Sequence, residues 1–318
     1  MQLTVALAAE EAAGVQVLRL LAARGHRVAA VFSDSRTAAR GATVAGVAGN
    51  LGIPVRGAAA VRDPALAGEL REKGVELLLN VHSLHIVDAE VLAAPALGAY
   101  NLHPGPLPER AGLHVPSWAL YEGDERHGVT LHRMTPGIDE GPVAFAERFE
   151  IGPRDTALAV LTQCVRRGRR LVERLLDLAG RGEPVPAHAQ DLGSKRWFGA
   201  GPPEGGRLGW DRPARQVAAF VRACDYGPYP SPWGFPRCEA AGREVAIAAA
   251  QPLREATDAQ AGSVAAAEAG AVLVAARDNW VRVDRVQIAS ERLPAADVLR
   301  PGGQLRSAPA EAERTGSR

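Results

Sequence analysis

The chain has 318 residues, 47% of them hydrophobic and 23% charged, and its 37 Lys plus Arg against 36 Asp plus Glu leave a formal net charge of +1. That length and apolar content predict a soluble globular protein with room for two domains, and so small a net charge argues against a partner held by phosphate charge, so no nucleic acid is expected. No apolar run reaches the roughly 20 residues that span a bilayer, and Glu10 and Glu11 stand where a signal peptide would be apolar, so no membrane association and a cytoplasmic location are expected.

Residues 3–8 read as a strand, 10–23 as a helix with Gly25 at its C-terminal cap, and 28–32 as a second strand. Where a dinucleotide-binding turn would carry G-x-G-x-x-G, the chain has Ala8-Ala9-Glu10-Glu11, which counts against a nucleotide-phosphate cradle. Residues 37–51, 64–73 and 88–93 then read as helices, and 54–56, 75–81 and 96–102 as strands. Strands that alternate with helices and are apolar throughout predict an α/β fold, with a parallel sheet covered on both faces and ligands at the carboxyl edge of its strands.

The alternation continues through a strand at 143–149 and a long helix at 155–180, whose Arg166-Arg167-x-Arg169-Arg170 run reads as its solvated face. The Pro- and Gly-rich stretch 184–206 reads as a linker. Beyond it come a short helix at 213–224 and short strands at 246–250, 263–267, 271–276 and 280–288, the pattern of a small β domain of barrel type. The tail after 301 is polar and predicted to be disordered. Cys164, Cys224 and Cys238 are odd in number and lack C-x-x-C spacing, so they read as small buried hydrophobes and not as a disulfide framework or zinc ribbon. The only lysines, Lys73 and Lys195, lie at a charged helix end and in the linker, which leaves little room for a catalytic lysine.

One stretch points to chemistry. In Asn101-Leu102-His103-Pro104-Gly105-Pro106-Leu107-Pro108 the strand alternation turns Asn101 and His103 to the same side, and the three prolines end the ladder in a rigid irregular loop. An amide and an imidazole at a strand's carboxyl end, with Asp139 on the glycine-flanked loop Gly137-Ile138-Asp139-Glu140-Gly141, form a set for proton transfer and oxyanion stabilisation. His82 and His85 have the H-x-x-H spacing of a chelating pair, but they lie in a loop without nearby Cys or carboxylate ligands, so no metal is expected.

Asn101-x-His103-Pro104, the strand Gly128-Val129-Thr130-Leu131-His132-x-Met134 and Gly137-Ile138-Asp139-Glu140-Gly141, in that order, resemble the formyltransferase family that uses 10-formyltetrahydrofolate. Arg222-Ala223-x-Asp225-Tyr226-Gly227-Pro228-Tyr229-Pro230 and the hairpins from 261 to 288 resemble the C-terminal β domain of methionyl-tRNA formyltransferase relatives. The proline loop departs from the usual H-P-S-x-L-P-x-Y/W-R-G of those enzymes and, with Gly112-Leu113-His114-Val115-Pro116-Ser117-Trp118, looks more like the formylation domains of nonribosomal peptide synthetases. The resemblance implies a Rossmann-like parallel-sheet catalytic domain over 1–185, a linker over 186–208, an OB-like barrel domain over 209–300 and a flexible tail over 301–318.

It also implies an N-formyltransferase acting on a primary amine of a small metabolite or of an amino acid on a carrier protein, in natural-product biosynthesis. Asn101 would hold the oxyanion, His103 would manage the proton, and Asp139 would either orient His103 or hold a relaying water. The pterin of the folate co-substrate would lie along Ser83, Leu84, His85 and Ile86 and the loop Met134, Thr135, Pro136, Gly137 and Ile138, while Gly105, His114 and Trp118 would face the amine. Formyl-folate hydrolysis or another one-carbon or acyl transfer is the alternative on the same fold. A methionyl-tRNA enzyme, or a folate-binding module without catalysis, is less favoured. The sequence carries no signal of oligomeric state.

Overall fold

Short apolar strands set apart by amphipathic helices leave few ways to bury both faces of a sheet, and the chain takes the layered one. The computed structural model describes residues 1–34 and 41–308. It divides into two compact units, the first built from Met1–Val115, Arg126–Glu150 and Leu161–Phe198, the second from Pro116–Glu125, Ile151–Val160 and the chain from Gly199 onward.

In the first unit the chain runs β1 (Thr4–Ala9), α1 (Glu11–Ala23), β2 (Arg27–Phe32), α2 (Val44–Asn50), β3 (Val55–Arg56), α3 (Leu66–Glu72), β4 (Leu77–Val81), α4 (Ala89–Leu92), β5 (Gly98–His103) and β6 (Ala111–Gly112). Helix α5 (Val115–Glu122), which apart from Val115 belongs to the second unit, then leads to β7 (Arg126–Arg133), β8 (Val143–Glu150), α6 (Ala157–Arg181), of the first unit from Leu161 onward, and β9 (Trp197–Phe198). Of the helix expected over 37–51, residues 37–40 lie outside the described residues. Helix α2 is begun by Thr43, whose hydroxyl accepts from the Gly46 N–H.

The main sheet has the order β3-β2-β1-β4-β5-β7-β8. Its first five strands are parallel as expected, and β5–β7 and β7–β8 add two antiparallel pairs at one edge. The cause is connectivity. After β5 the chain re-enters the sheet from the same edge, pairing His103 with Thr130, and a helix-free loop joins β7 to β8, which only antiparallel neighbours allow.

Within this sheet Leu78, Ala99, Ala6 and Ala8 belong to one apolar cluster with Leu66, Leu70 and Val91 of the helices, against which Met134 packs. Asn80 and Asn101 continue the same face two residues further on, so a polar row follows directly from the apolar core. On the other face Leu102 meets Gly168 of α6, where a Cβ would lie 2.8 Å from the leucine. The Arg run of α6 is only partly solvated: Arg167 pairs with Glu147 and lies over the Phe149 ring.

The second unit contains α7 (Ala214–Ala223), β10 (Arg237–Ala240), β11 (Arg243–Ala256), β12 (Val264–Ala266), β13 (Val272–Ala275), β14 (Asn279–Ile288), β15 (Glu291–Pro294), α8 (Ala295–Val298) and β16 (Leu305–Ser307). Its sheet is antiparallel throughout, ordered β12-β13-β14-β11-β10-β16 with β15 on β14. Val264 N–H donates to Gly303 O at 3.0 Å and Leu305 N–H to Gly262 O at 2.8 Å, which draws the two edges towards a barrel. Residues 305–307, read from the sequence as tail, are thus a strand, because Leu305 is buried at 3% exposure and Ala308 at 4%. Positions 309–318 of the expected tail lie outside the described residues. Among the described residues no helix is long and apolar enough to cross a membrane.

Candidate active site

Asn101 sits between two partners across the ladder, opposite Asn80 of β4 and His132 of β7. Asn80 Nδ2 donates to Asn101 Oδ1 at 3.0 Å and to the Ser83 carbonyl at 3.2 Å. That leaves Asn101 Nδ2 facing His132 Nε2 at 3.1 Å and Asp139 Oδ1 at 3.4 Å. The tautomer of His132 follows from its other nitrogen: Nδ1 lies 3.1 Å from the Arg133 carbonyl, so the proton is on Nδ1 and Nε2 accepts from Asn101. One hydrogen of Asn101 Nδ2 is therefore committed, and the second meets Asp139 over a long contact.

His103 is the last residue of β5 and is buried at 3% exposure. Its Nε2 lies 2.6 Å from the Arg110 carbonyl, which can only accept, so Nε2 carries a proton and the neutral ring leaves Nδ1 bare. Nδ1 faces Asp139 Oδ2 at 3.7 Å, too far for a hydrogen bond and close enough for charge. Burial holds the imidazole below its ordinary range, against the opposing pull of the Asp139 carboxylate and the Arg110 carbonyl.

The proline loop is made for this contact. Gly105 is buried against His103, and a Cβ there would lie 2.8 Å from His103 Nε2 and 2.9 Å from the Arg110 carbonyl. Thr130 Oγ1 donates to Gly105 O at 2.8 Å and accepts from the Leu107 N–H at 3.2 Å, while His127 Nε2 donates to Pro104 O at 2.9 Å. Any side chain at 105 would therefore displace the hydrogen bond between His103 and the Arg110 carbonyl.

Asp139 holds a left-handed backbone, φ 57°, at 7% exposure. Burial pushes its carboxyl up, but attraction to the His103 and His132 imidazoles in their protonated forms and the hydrogen bond from the Gly112 N–H outweigh that and hold it well below the usual carboxylate range. The Gly112 N–H donates to Asp139 Oδ2 at 2.9 Å. Gly112 has φ +100°, and a Cβ on it would fall 2.2 Å from the Phe198 carbonyl, so only glycine fits between the carboxylate and β9.

The remaining expected site residues have surroundings of their own. Ser83 is buried, Leu84 is 70% and Ile86 60% exposed, and His85 Nε2 pairs with Asp34 Oδ2 at 3.0 Å. His82, with φ 60°, turns instead to Glu11 at 3.4 Å, so the two imidazoles of the H-x-x-H face different carboxylates. Among the described residues no group of three or more His, Cys, Asp or Glu is placed to hold a metal. Met134 packs on the core, Thr135 Oγ1 donates to Gly137 O at 3.2 Å, Pro136 is exposed, and Ile138 is 45% exposed. His114, φ 51°, lies within the electrostatic reach of Glu11. Trp118 belongs to the second unit, where its Nε1 donates to Gly199 O at 3.1 Å and its ring meets Trp233 edge-on at 5.0 Å.

Sequence reasoning did not single out Asn80, His132 or Arg110 as members of the set, nor Gln190 and Lys195, which touch the Asp139 loop from the stretch read as linker. For Asn80 a signal existed: it is the one polar residue of an otherwise apolar central strand, whereas His132 lies in a strand that also carries Arg126, His127, Thr130 and Arg133 and does not stand out.

The sequence matches the profile described as Formyl transferase over residues 3–174 and that of the Formyl transferase C-terminal domain over residues 202–301. The chain is similar to HypX from Aquifex aeolicus, solved in complex with tetrahydrofolic acid, at 21% identity and a TM-score of 0.66 over 94% of this chain and 47% of that one. It thus spans about half the length of the HypX structures it matches. It is also similar to the N-formyltransferase from Helicobacter canadensis solved with folinic acid and dTDP-3-aminofucose, at 16% identity and a TM-score of 0.68 over 89% of this chain and 99% of that one. A third, WlaRD, a sugar 3N-formyl transferase solved in the presence of dTDP and 5-N-formyl-THF, shares 14% identity and a TM-score of 0.67 over 92% of this chain and 99% of that one. At these identities the likeness is one of fold.

Proposed function

The chain belongs to the formyl transferase family, enzymes that transfer a formyl group, and from that membership we propose an N-formyltransferase that moves the formyl group of 10-formyltetrahydrofolate onto a primary amine. The acceptor is a small metabolite or a carrier-bound amino acid, in natural-product biosynthesis, a reading supported by the departures of the proline loop. The observation that carries the proposal is the meeting of half-buried Asn101 with buried His103 and Asp139 in one set.

In this reading the second hydrogen of Asn101 Nδ2, held only at 3.4 Å by Asp139, turns to the formyl oxygen as negative charge develops there. The bare Nδ1 of His103 takes the proton of the attacking amine and returns it to the departing folate nitrogen, so a C–N bond forms and a C–N bond breaks with no net proton gained. Asp139 stabilises the transient imidazolium by charge across 3.7 Å. Two polar atoms at this strand edge, Asn80 Oδ1 and Ser83 Oγ, are buried without a protein partner, and the amide and ring nitrogens of a pterin are groups that would satisfy them.

The test is purified protein with 10-formyltetrahydrofolate and a panel of amines: nucleotide-linked amino sugars, free amino acids, an aminoacyl carrier protein and charged initiator tRNA. Amine-dependent release of tetrahydrofolate, abolished in Asn101→Ala and His103→Ala, is expected. Formate release that ignores every amine would establish the hydrolase instead, and folate binding without turnover would leave only a binding module.

A further inference from the structure

Four non-glycine residues among those described in the first unit hold left-handed backbones, and Asp139 is the one among them whose carboxylate meets His103. A left-handed aspartate costs of order 1 kcal/mol or more and persists where its surroundings over-determine it. The surroundings in question come from the stretch between α6 and β9. There Gln190 Nε2 donates to the Asp139 carbonyl at 3.0 Å and to the Gly141 carbonyl at 2.6 Å, spanning the turn from both sides. Lys195 Nζ donates to the Ile138 carbonyl at 2.8 Å and pairs with Glu140 Oε1 at 2.7 Å. His188 and Val143 exchange backbone hydrogen bonds at 2.8 and 2.9 Å, and β9 pairs in parallel with β6, whose Gly112 N–H holds the Asp139 carboxylate.

We propose that Gln190, supported by Lys195, is a positioning residue for the reaction: its amide clasps the two carbonyls around Asp139 and thereby fixes the carboxylate against His103. The proposal rests on reading Asn101, His103 and Asp139 as the reacting set. Both hydrogens of the Gln190 amide are used on the turn, and its Oε1 is buried without a partner, so the side chain is held for its donors alone. Gln190 and Lys195 therefore serve the site from a stretch that otherwise has the composition of a spacer. A misplacement of about 1 Å at such a loop costs up to about 100-fold in rate.

The test compares Gln190→Met, which keeps the length and removes the donors, and Gln190→Glu, which sets an acceptor against two carbonyls, with Asp139→Asn and with Asp191→Ala, a change on the same strap whose carboxylate bonds only Gly193 within it. Full-length protein with isotopically labelled histidine is titrated by NMR, the His103 signal being the one absent from His103→Asn. The groups facing His103 are Asp139, His132, His82 and the Arg110 carbonyl, so loss of the nearby carboxylate lowers its titration midpoint. The midpoints of both Gln190 variants should fall between those of wild type and Asp139→Asn, with Asp191→Ala unchanged. With an amine found by the panel, kcat should fall about 10-fold or more while KM for the folate stays within twofold. A wild-type midpoint in Gln190→Met, or an activity loss that follows only the unfolded fraction, overturns the inference. Undiminished turnover in His103→Asn would instead overturn the catalytic reading beneath it.

Discussion

Nine of the ten polar or charged side chains buried among the described residues belong to the first unit, whereas the second unit buries Ser117 alone, bonded to the Tyr226 hydroxyl at 2.9 Å. Both units contain a seven-stranded sheet. The second fills its interior with Val245, Ile247, Val274, Val281, Val283 and Val286, while the first interrupts its apolar face with Asn80, Asn101, His103, Thr130 and His132. Burying a polar group costs about 1–3 kcal/mol unless it is bonded, and the first unit spends its bonds on one row at the carboxyl edge. On the proposed reading the difference separates residues that perform chemistry from residues that hold a fold, and mutations on the two sides should separate in the same way.

The largest expected effect is on rate. Asp139→Asn removes the charge that balances a protonated His103, and kcat in the formyl-transfer assay should fall at least about 100-fold with far-ultraviolet circular dichroism unchanged. Retention of a third of the activity would erase the distinction. On the other side, Ile247→Ala in β11 should cost about 2–5 kcal/mol in urea unfolding and leave kcat per folded molecule unaltered. A smaller effect, on pH dependence, arises at His127, whose ring burial pushes down to about 4 from 6.5. The folded state holds that ring neutral, so its contribution is full above 6.5 and is lost as pH falls to about 4, up to about 3 kcal/mol. His127→Gln should flatten this acid limb of the stability profile, and an unchanged limb would place the acid sensitivity elsewhere.

The parts of this arrangement that sequence reveals are those written locally. Alternating strands and helices announced β1 to β5, and the Asn101-x-His103 spacing followed from the two-residue period of a strand. The antiparallel β7 and β8 were not visible, because strand direction depends on which edge the chain re-enters. Helix α5 was missed inside a stretch that prolines made look like loop, and β10, β15 and β16 are three or four residues each, too short for periodicity to register. Gln190 and Lys195 carried no signal at all. Apart from Glu140, which pairs with Lys195, their partners are backbone carbonyls, which look the same in every residue, and the composition of the stretch is that of a connector.

Gly112 joins segments that are distant along the chain, with its N–H on the Asp139 carboxylate and its α-carbon against the Phe198 carbonyl. Seen during synthesis on the ribosome, the amide, the imidazole and the carboxylate all emerge well before Phe198 does. On the proposed reading, a nascent polypeptide stopped short of that point would own every reacting side chain and lack the Phe198 backbone that seats Gly112, so competence would be a late event in maturation, set by closure of a long loop.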